Sequence, residues 1–150
     1  MRNEDLKNAG VFWKFGVFLF ALLVVIDQLS KYLAHNIFQN PVFAFSLPLP
    51  VWLIYVIYLL VVAGMVYYLL NNYQSLTVSA KAAWVFIFAG AASNIGERIV
   101  LGYVRDFIYI TFYKWTGVYN LADGYIIVGI ILLIIKSEIR ISKSETNHKI

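Results

Sequence analysis

Two aspartates in the C-terminal third of the sequence could carry out acid–base chemistry. Asp123 opens the last long apolar run, residues 126–135, and Asp106 lies in a short segment before that run. A carboxylate at membrane depth costs a few kcal/mol or more unless it is protonated, paired or facing a wet cavity, so an intramembrane acid indicates a functional site. Asn120 precedes Asp123 by three residues, a spacing that puts both side chains on one face if this stretch is helical. The sequence therefore predicts two carboxyl groups that share acid–base work at one membrane face.

The composition indicates what must position these acids. Apolar residues make up 61% of the 150 residues and charged residues only 13%, which is far from the balance of a soluble domain. The length allows about four helical spans of roughly 20 residues each. We therefore predict a membrane all-α protein, a four-transmembrane-helix bundle with a small extracytoplasmic strand and loop region. The expected spans are residues 12–37, 51–70, 82–100 and 119–136, within a single domain covering residues 1–150.

Several function classes are excluded or disfavoured by residue usage. The absence of cysteine excludes disulfides, thiolate metal sites and a cysteine nucleophile, and two scattered histidines are too few for a histidine metal cluster. We expect neither a metal nor another cofactor. The net charge of +4 comes from basic residues near the two chain ends, as cytoplasmic membrane flanks require, and not from a nucleic-acid-binding patch. Both termini are therefore predicted to be cytoplasmic, with the acids near the outer face.

The first apolar run could be a cleaved signal peptide or a retained span. No small-residue cleavage site follows residues 15–26, and the helical pattern continues beyond them, so the sequence favours a retained first span. Asp27 and Lys31, four residues apart, can pair on one face of this helix. That pair is either an ion pair that locks the helix against its neighbours or a part of the site, and the sequence leaves both possibilities open.

Further polar residues point to the same outer end of the bundle. Asn94 and Arg98 are four apart on one face of the third span and can both reach an outer cavity, although a lone arginine near a helix end often only extends to the lipid headgroups. Residues 103–112 are rich in β-branched and aromatic side chains, which predicts a short strand that carries Asp106. Residues 38–50 hold all three prolines and predict an outer loop, either an interfacial turn or a strip that binds a peptide by strand addition.

Five motifs in chain order resemble those of the lipoprotein signal peptidases, also called signal peptidase II, over almost the whole chain. The motifs are Asp27-Gln28-Leu29-Ser30-Lys31, residues Asn40 to Ser46, Gly90-Ala91-x-x-Asn94-x-x-x-Arg98, Gly102-Tyr103-Val104-x-Asp106-Phe107-Ile108 and Tyr119-Asn120-x-Ala122-Asp123. The resemblance implies that Asp106 and Asp123 are the catalytic aspartates. It also implies that three polar residues surround this pair: Asn94, Arg98 and Asn120. Three further motif residues would support the site or the substrate: Asp27, Lys31 and Asn40.

The activity implied by this resemblance is cleavage of a prolipoprotein before a cysteine that carries diacylglycerol. The enzyme would be an aspartic endopeptidase of the bacterial cytoplasmic (inner) membrane. Its partners would be the lipid-modified prolipoprotein and membrane lipids, and we expect a monomer. Two nearby carboxyls cannot easily both ionise, so one can hold a proton while the other activates water, with no covalent intermediate and no metal.

Departures from the family pattern affect the expected substrate range more than the chemistry. Val42 and Phe43 add bulk to the outer loop, Ser93 replaces a common glycine, and Glu97 replaces an aspartate but keeps its charge. A Ser/Lys dyad is disfavoured because the neighbouring Ser30 and Lys31 would point about 100° apart on a helix. A small proton- or cation-coupled transporter or a non-catalytic membrane scaffold is the remaining alternative.

Overall fold

The computed structural model describes residues 3–41 and 50–147 of the chain, which form four long helices and four short strands. A 3-10 turn, Tyr73–Ser75, joins the second and third helices. In chain order the elements are α1 (Asn3–Leu33), β1 (Phe38–Asn40), α2 (Val51–Asn72), α3 (Val78–Leu101), β2 (Val104–Asp106), β3 (Ile108–Phe112), β4 (Trp115–Tyr119) and α4 (Leu121–Asn147).

Three helical segments are long and apolar enough to cross a membrane. They are Trp13–Leu33, Tyr55–Ser75 and Val78–Leu101 within the described part of the chain. This confirms a mostly helical membrane protein, while the count of four spans stays a prediction. The helix α4 does include residues 121–136 of the expected fourth span, but residues 119 and 120 precede it. The first helix ends at Leu33 and not at the expected residue 37, because the chain turns there into β1.

Small residues allow α3 and α4 to approach closely. A Cβ atom added to Gly129 would lie 2.5 Å from Ile87 Cγ1 and 2.6 Å from the carbonyl oxygen of Ala83. A Cβ atom added to Gly90 would collide with the backbone oxygen of Ala122. Small residues of α3 and α4 therefore serve close packing between the two helices. The same contacts fix the start of α4 against the middle of α3.

The strands form two separate antiparallel pairs at one end of the bundle. In the first, β1 pairs with β2, and Phe38 lies opposite Asp106. In the second, β3 and β4 form a hairpin whose two-residue turn contains Tyr113 at a φ of 54°. The single strand predicted for residues 103–112 is thus two strands with different partners. The chain changes partner at Phe107, whose N–H donates to the carbonyl of Tyr119 at 2.9 Å.

The second helix packs more loosely than the other three. No residue of α2 with a described exposure is buried. Its ring contact with α3 joins Tyr68 and Trp84, whose centroids are 5.6 Å apart. Residues 42–49, which include most of the proline-rich loop and the bulky positions Val42 and Phe43, lie outside the described residues. The expectation of a peptide-binding strip in that loop therefore stays a prediction.

Candidate active site

The first turn of α4 holds Asp123 in a reciprocal helix cap. Asn120 immediately precedes the helix, and its Oδ1 accepts a hydrogen bond from the Asp123 N–H at 3.0 Å. In return, Asp123 Oδ2 accepts from the Asn120 N–H at 3.1 Å. This is the capping-box arrangement, in which two backbone donors at a helix start are satisfied by each other's side chains. The three-residue spacing noted in the sequence therefore pairs these residues through a cap, with Asn120 outside the helix.

The other acid, Asp106, is buried at the end of β2 and accepts from two amides. Asn40 Nδ2 donates to Asp106 Oδ2 at 3.0 Å, and Asn120 Nδ2 donates to Asp106 Oδ1 at 2.6 Å. The side chain of Asn40 reaches Asp106 because β1 runs beside β2. Burial raises the pKa of Asp106 above its usual range, and this outweighs the lowering by the two amides and by the charges of Lys31 and Arg98.

Asn120 brings the two acids to one place. Its side-chain amide donates to Asp106, while its side-chain oxygen and its backbone N–H both bond to Asp123. The two aspartates, seventeen positions apart in sequence, thus share one asparagine as a common neighbour. The geometry brings together the two carboxyls that the sequence predicted to meet.

A third amide connects this site to a buried lysine. Asn94 Nδ2 donates to Asp123 Oδ1 at 2.8 Å. Lys31 Nζ donates to Asn94 Oδ1 at 2.9 Å. An amide can turn by 180° and exchange its donor and acceptor ends, but an ammonium group accepts nothing. The lysine therefore fixes the orientation of Asn94, with its NH₂ group directed at Asp123.

Beside the acids lies a cluster of ion pairs, buried except for Arg105, which we call the ionic cluster and define by Asp27, Lys31, Glu97 and Arg105. Lys31 Nζ is 2.7 Å from Asp27 Oδ2 and 3.0 Å from Glu97 Oε2, and Arg105 Nε is 2.6 Å from Glu97 Oε1. Asp27 and Lys31 are both 0% exposed. A buried ion of this kind is tolerated only with well-placed partners, and here each ion has them.

Asp27 also reaches the helix that carries Asp123. Its Oδ1 accepts from the N–H of Ala122 at 2.9 Å, and this N–H is one of the first-turn donors that have no partner within the helix. The pair of Asp27 and Lys31 therefore does more than lock α1 in place. It contacts α4 through one member and Asn94 through the other, so the buried pair borders the two aspartates, and its part in the site stays a prediction.

Arg98 contacts two tyrosines of α2. Its guanidinium carbon lies 5.9 Å from the ring centroid of Tyr58, and its backbone oxygen accepts from the hydroxyl of Tyr55 at 3.2 Å. Its positive charge still acts on Asp106, where it opposes the rise in pKa. Asn94 contacts Asp123, whereas the role expected for Arg98 at the same cavity stays a prediction.

Three further polar residues of the site were not singled out from the sequence. Gln28 Nε2 donates to Ser93 Oγ at 2.8 Å, and Ser93 Oγ donates to Asp27 Oδ2 at 2.5 Å. Arg105 Nη2 donates to Gln28 Oε1 at 3.0 Å. From the sequence, Ser93 was noted only as a departure from the family pattern. Gln28, Ser93 and Arg105 are each the sequence neighbour of a predicted site residue, and this position was the only signal for them. Nothing in the spacing predicted their contacts between helices.

The arrangement suits proton transfer between neighbouring carboxyls. Amide donors surround both acids: Asn40 and Asn120 donate to Asp106, and Asn94 donates to Asp123. Within residues 3–41 and 50–147, no group of three or more histidine, cysteine, aspartate or glutamate side chains is placed to hold a metal ion. The fold and site therefore define a helical membrane protein with an amide-supported pair of aspartates, of which Asp106 is buried and Asp123 is partly exposed.

Comparison with known proteins identifies the family. Residues 19–139 match the family described as signal peptidase (SPase) II, and the chain belongs to this family. A lipoprotein signal peptidase of Streptococcus pyogenes serotype M5 is 34% identical over 133 residues, covering 76% of this chain and 86% of that protein. A lipoprotein signal peptidase of Chlamydia trachomatis serovar L2 is 37% identical over 75 residues, covering 49% of this chain and 45% of that protein. These relatives do not favour the transporter or scaffold alternative.

Solved structures show the same fold. A bacterial membrane enzyme determined by the in meso method at 2.3 Å resolution superposes with a TM-score of 0.72 at 22% identity, covering 87% of this chain and 91% of that one. A second structure of a bacterial membrane enzyme, determined by the same method at 1.9 Å, has a TM-score of 0.68 at 23% identity, covering 82% of this chain and 92% of that one.

Proposed function

We propose that this protein is an aspartic endopeptidase that removes the signal peptide from diacylglyceryl-modified prolipoproteins, cutting before the lipidated cysteine. Membership of the signal peptidase II family supports the reaction. The observation that carries the aspartic mechanism is the position of Asn120, which bonds to Asp106 and to Asp123 at once. Two carboxyls held around one amide can share a single proton, and this is the state that an aspartic peptidase requires.

The proposed mechanism uses that shared proton. The ionised carboxyl of the pair takes a proton from water, and the protonated carboxyl donates a hydrogen bond to the scissile carbonyl oxygen. The water oxygen attacks the carbonyl carbon, and a tetrahedral diol forms. A proton then passes to the leaving nitrogen, the C–N bond breaks, and the pair returns to its one-proton state. Because the two groups titrate together, we describe the proton as belonging to the pair and assign it to neither residue.

The surrounding residues have supporting roles in this proposal. Asn40, Asn94 and Asn120 hold the two carboxyls in position through their amides. Lys31 and Asp27 orient Asn94 and the start of α4. Arg98 places positive charge near Asp106 at the side of the site that faces α2. None of these groups needs a metal or an organic cofactor for its role.

The proposed location is the bacterial inner membrane, with both termini in the cytoplasm and the site near the outer face. The acids, the C-terminal ends of α1 and α3, the start of α4 and all described strands lie at one end of the bundle. Exposed aromatic residues of the β3–β4 hairpin suit the interface between lipid and water: Tyr109, Phe112, Tyr113 and Trp115. The lipid of the substrate cysteine would then lie in the adjacent outer leaflet.

Cleavage of a lipidated prolipoprotein peptide by purified variants tests this function. Asp106→Asn and Asp123→Asn should each abolish cleavage, because asparagine keeps the size but cannot share or transfer the proton. The double variant should be no worse than either single variant, since groups that act as a unit are strongly non-additive. Asp27→Asn is the comparison variant, because it removes a buried carboxyl that supports the start of α4 but contacts neither of the proposed catalytic groups. Its folded fraction should keep measurable turnover.

Two results would count against the proposal. Substantial cleavage by either folded catalytic variant would refute the aspartic mechanism. Equal turnover of lipidated and unlipidated peptides would refute the specificity for the lipidated cysteine while leaving the peptidase chemistry intact. Folding is checked separately by the monodisperse elution of each variant in detergent, so that loss of structure is not read as loss of chemistry.

Single-cysteine labelling tests the proposed topology. Because the chain has no native cysteine, one introduced residue gives an unambiguous signal. A cysteine at Thr116 in the hairpin should react with an impermeant reagent from the outer side, and one at Gln74 in the 3-10 turn should react only from the cytoplasmic side. The reverse pattern would overturn the orientation.

A further inference from the structure

Glu97, near the end of α3, is a buried acid to which the proposed mechanism gives no proton to carry. The residue is 4% exposed, and its carboxylate binds three N–H groups, two from Arg105 and one from Lys31. A buried carboxylate is tolerated only when its partners are well placed. The residues that those partners hold therefore indicate what Glu97 does.

The first partner of Glu97 is the strand that carries Asp106. Glu97 Oε2 accepts from the backbone N–H of Arg105 at 3.1 Å, and Glu97 Oε1 accepts from Arg105 Nε at 2.6 Å. Arg105 is the middle residue of β2 and immediately precedes Asp106. Among residues 3–41 and 50–147, β2 has one strand partner, β1. The carboxylate of Glu97 therefore attaches this short strand to α3 through two bonds to a single residue.

The alternation of side chains along β2 makes this attachment important for Asp106. Val104 and Asp106 are 1% and 2% exposed, whereas Arg105 between them is only partly buried. Successive side chains of a strand point to opposite faces, so a rotation of β2 would move all three. It would separate the Asp106 oxygens from the amides of Asn40 and Asn120, which lie at 3.0 and 2.6 Å. Holding Arg105 in place thus holds the Asp106 carboxyl in its orientation.

The second partner of Glu97 leads to Asp123. Glu97 Oε2 is 3.0 Å from Lys31 Nζ, which donates to Asn94 Oδ1 at 2.9 Å. Asn94 Nδ2 in turn donates to Asp123 Oδ1 at 2.8 Å. The oxygen that accepts from the Arg105 backbone is therefore also the one that holds the lysine beside Asn94. One carboxylate connects the supports of both acids.

We propose that Glu97 is a positioning residue for both of the proposed catalytic carboxyls. It acts on Asp106 through β2 and on Asp123 through Lys31. The role rests on the proposed peptidase function and adds a residue to it. Glu97 takes no proton and contacts no substrate in this role, but it determines where the two carboxyls lie relative to each other.

The length of the Glu97 side chain suits these partners. Aspartate is shorter by one methylene, which would draw the carboxylate back by about 1.5 Å, the length of a carbon–carbon bond. Contacts that now measure 2.6, 3.0 and 3.1 Å could not all remain hydrogen bonds after such a change. Glu97→Asp therefore keeps the charge and removes the reach, so it separates the geometric role from the electrostatic one.

Steady-state cleavage of a lipidated prolipoprotein peptide by full-length variants in detergent tests the proposal. Glu97→Gln keeps the shape of the side chain but turns an NH₂ group toward one of the three donors. We expect kcat of the folded protein to fall roughly 10- to 100-fold, the size of effect that a displacement of about 1 Å can have. KM should stay nearly unchanged, because Glu97 does not bind the substrate. Glu97→Asp should also lower kcat.

Arg105→Gln is a milder second variant. It removes the guanidinium but keeps the bond from the backbone N–H to Glu97 and the contact of Glu97 with Lys31. Its kcat should fall less than that of Glu97→Gln. Adding Arg105→Gln to Glu97→Gln should cause no further loss, since the guanidinium has already lost its carboxylate and contacting residues are not additive.

Ile87→Ala is the matched control for stability. Ile87 is buried on the same helix, ten residues before Glu97, and its truncation leaves a cavity far from the acids. The melting temperature of this variant should fall, while kcat of its folded fraction should equal that of the wild type. A loss of kcat in Glu97→Gln that exceeds the loss in Ile87→Ala then reports positioning and not general destabilisation.

Hydrogen–deuterium exchange gives a readout that does not require cleavage. In Glu97→Gln the amides of residues 104–106 and 120–123 should exchange faster than in the wild type, because both segments lose a support. In Ile87→Ala these segments should keep their protection relative to the rest of α3 and α4.

The outcomes separate the positioning role from the peptidase function. Wild-type kcat in folded Glu97→Gln, or unchanged exchange at residues 104–106, would overturn the positioning role and leave the peptidase function intact. Wild-type kcat in Glu97→Asp would overturn the requirement for reach. If the wild-type protein itself failed to cleave the peptide, the proposed function would fail. The exchange measurement would then still decide whether Glu97 holds the two segments that carry the acids.

Discussion

Replacing Lys31 with methionine removes the cation on which the ionic cluster depends. Lys31 is fully buried and contacts Asp27 at 2.7 Å, Glu97 at 3.0 Å and Asn94 at 2.9 Å. Methionine fills a similar volume but offers no charge, so the two carboxylates lose a shared counter-ion. Glu97 keeps its pair with Arg105, whereas Asp27 keeps only hydrogen bonds. Breaking a buried ion pair by removing one partner costs about 3–5 kcal/mol, and we expect Lys31→Met to fall in this range.

A double-mutant cycle tests the physical reason for that loss. Asp27→Asn removes one negative charge, so the double variant Lys31→Met/Asp27→Asn restores the neutral balance of the cluster. We expect it to be less destabilised than the sum of the two single variants by at least about 1 kcal/mol, which lies within the coupling energies of contacting residues. Reversible unfolding in mixed micelles, followed by tryptophan fluorescence, measures all four proteins.

An exposed lysine on the same helix provides the control. Lys14→Met should change the free energy of unfolding by no more than about 0.5 kcal/mol, as surface substitutions generally do. A loss below about 1 kcal/mol for Lys31→Met, or strict additivity in the cycle, would refute the reasoning that the cluster depends on charge balance.

Three further predictions concern the site and its frame. Arg98→Ala should lower turnover more than thermal stability, because its charge acts on Asp106, and normal turnover of a less stable protein would make it only a structural anchor. Since burial raises the pKa of Asp106, the alkaline limb of a bell-shaped pH–rate profile should lie above the ordinary aspartate range near about pH 4, and a limb at that pH would contradict the structure. Gly90→Ala should cost about 1–3 kcal/mol through collision with α4, as seen in thermal unfolding, whereas Gly96→Ala, which meets nothing within 4 Å, should be neutral or stabilising.

Local spacing was enough to predict the parts of the site that lie within one element. Asp27 and Lys31 are one helical turn apart, and they do form an ion pair. Asn120 and Asp123 are three apart, and they do contact each other. The apolar runs likewise indicated the membrane helices, because only the composition of each segment is needed to recognise them.

Contacts between different helices and strands could not be predicted from local spacing. The bond from Ala122 to Asp27 joins residues 95 positions apart, and no periodicity within either helix predicts it. The hairpin of β3 and β4 also escaped notice, because its turn has a tyrosine at positive φ where a sequence signal would be Asn-Gly or Asp-Gly. The remaining helix bounds differ by a few residues, since the ends of apolar runs do not mark the residues that cap a helix.

The reciprocal cap at the start of α4 constrains how this sequence can diverge. Asn120 and Asp123 close the helix and also border the reaction centre, so a substitution at either position lowers the abundance of folded protein together with its activity. Asp106 lies at the end of a three-residue strand and has no such part in capping a helix. In a deep mutational scan, abundance and activity should therefore fall together at Asn120 and Asp123, whereas many substitutions of Asp106 should leave abundant but inactive protein. Purifying selection for folding alone would then preserve half of the acid pair, even in a lineage that had stopped using it.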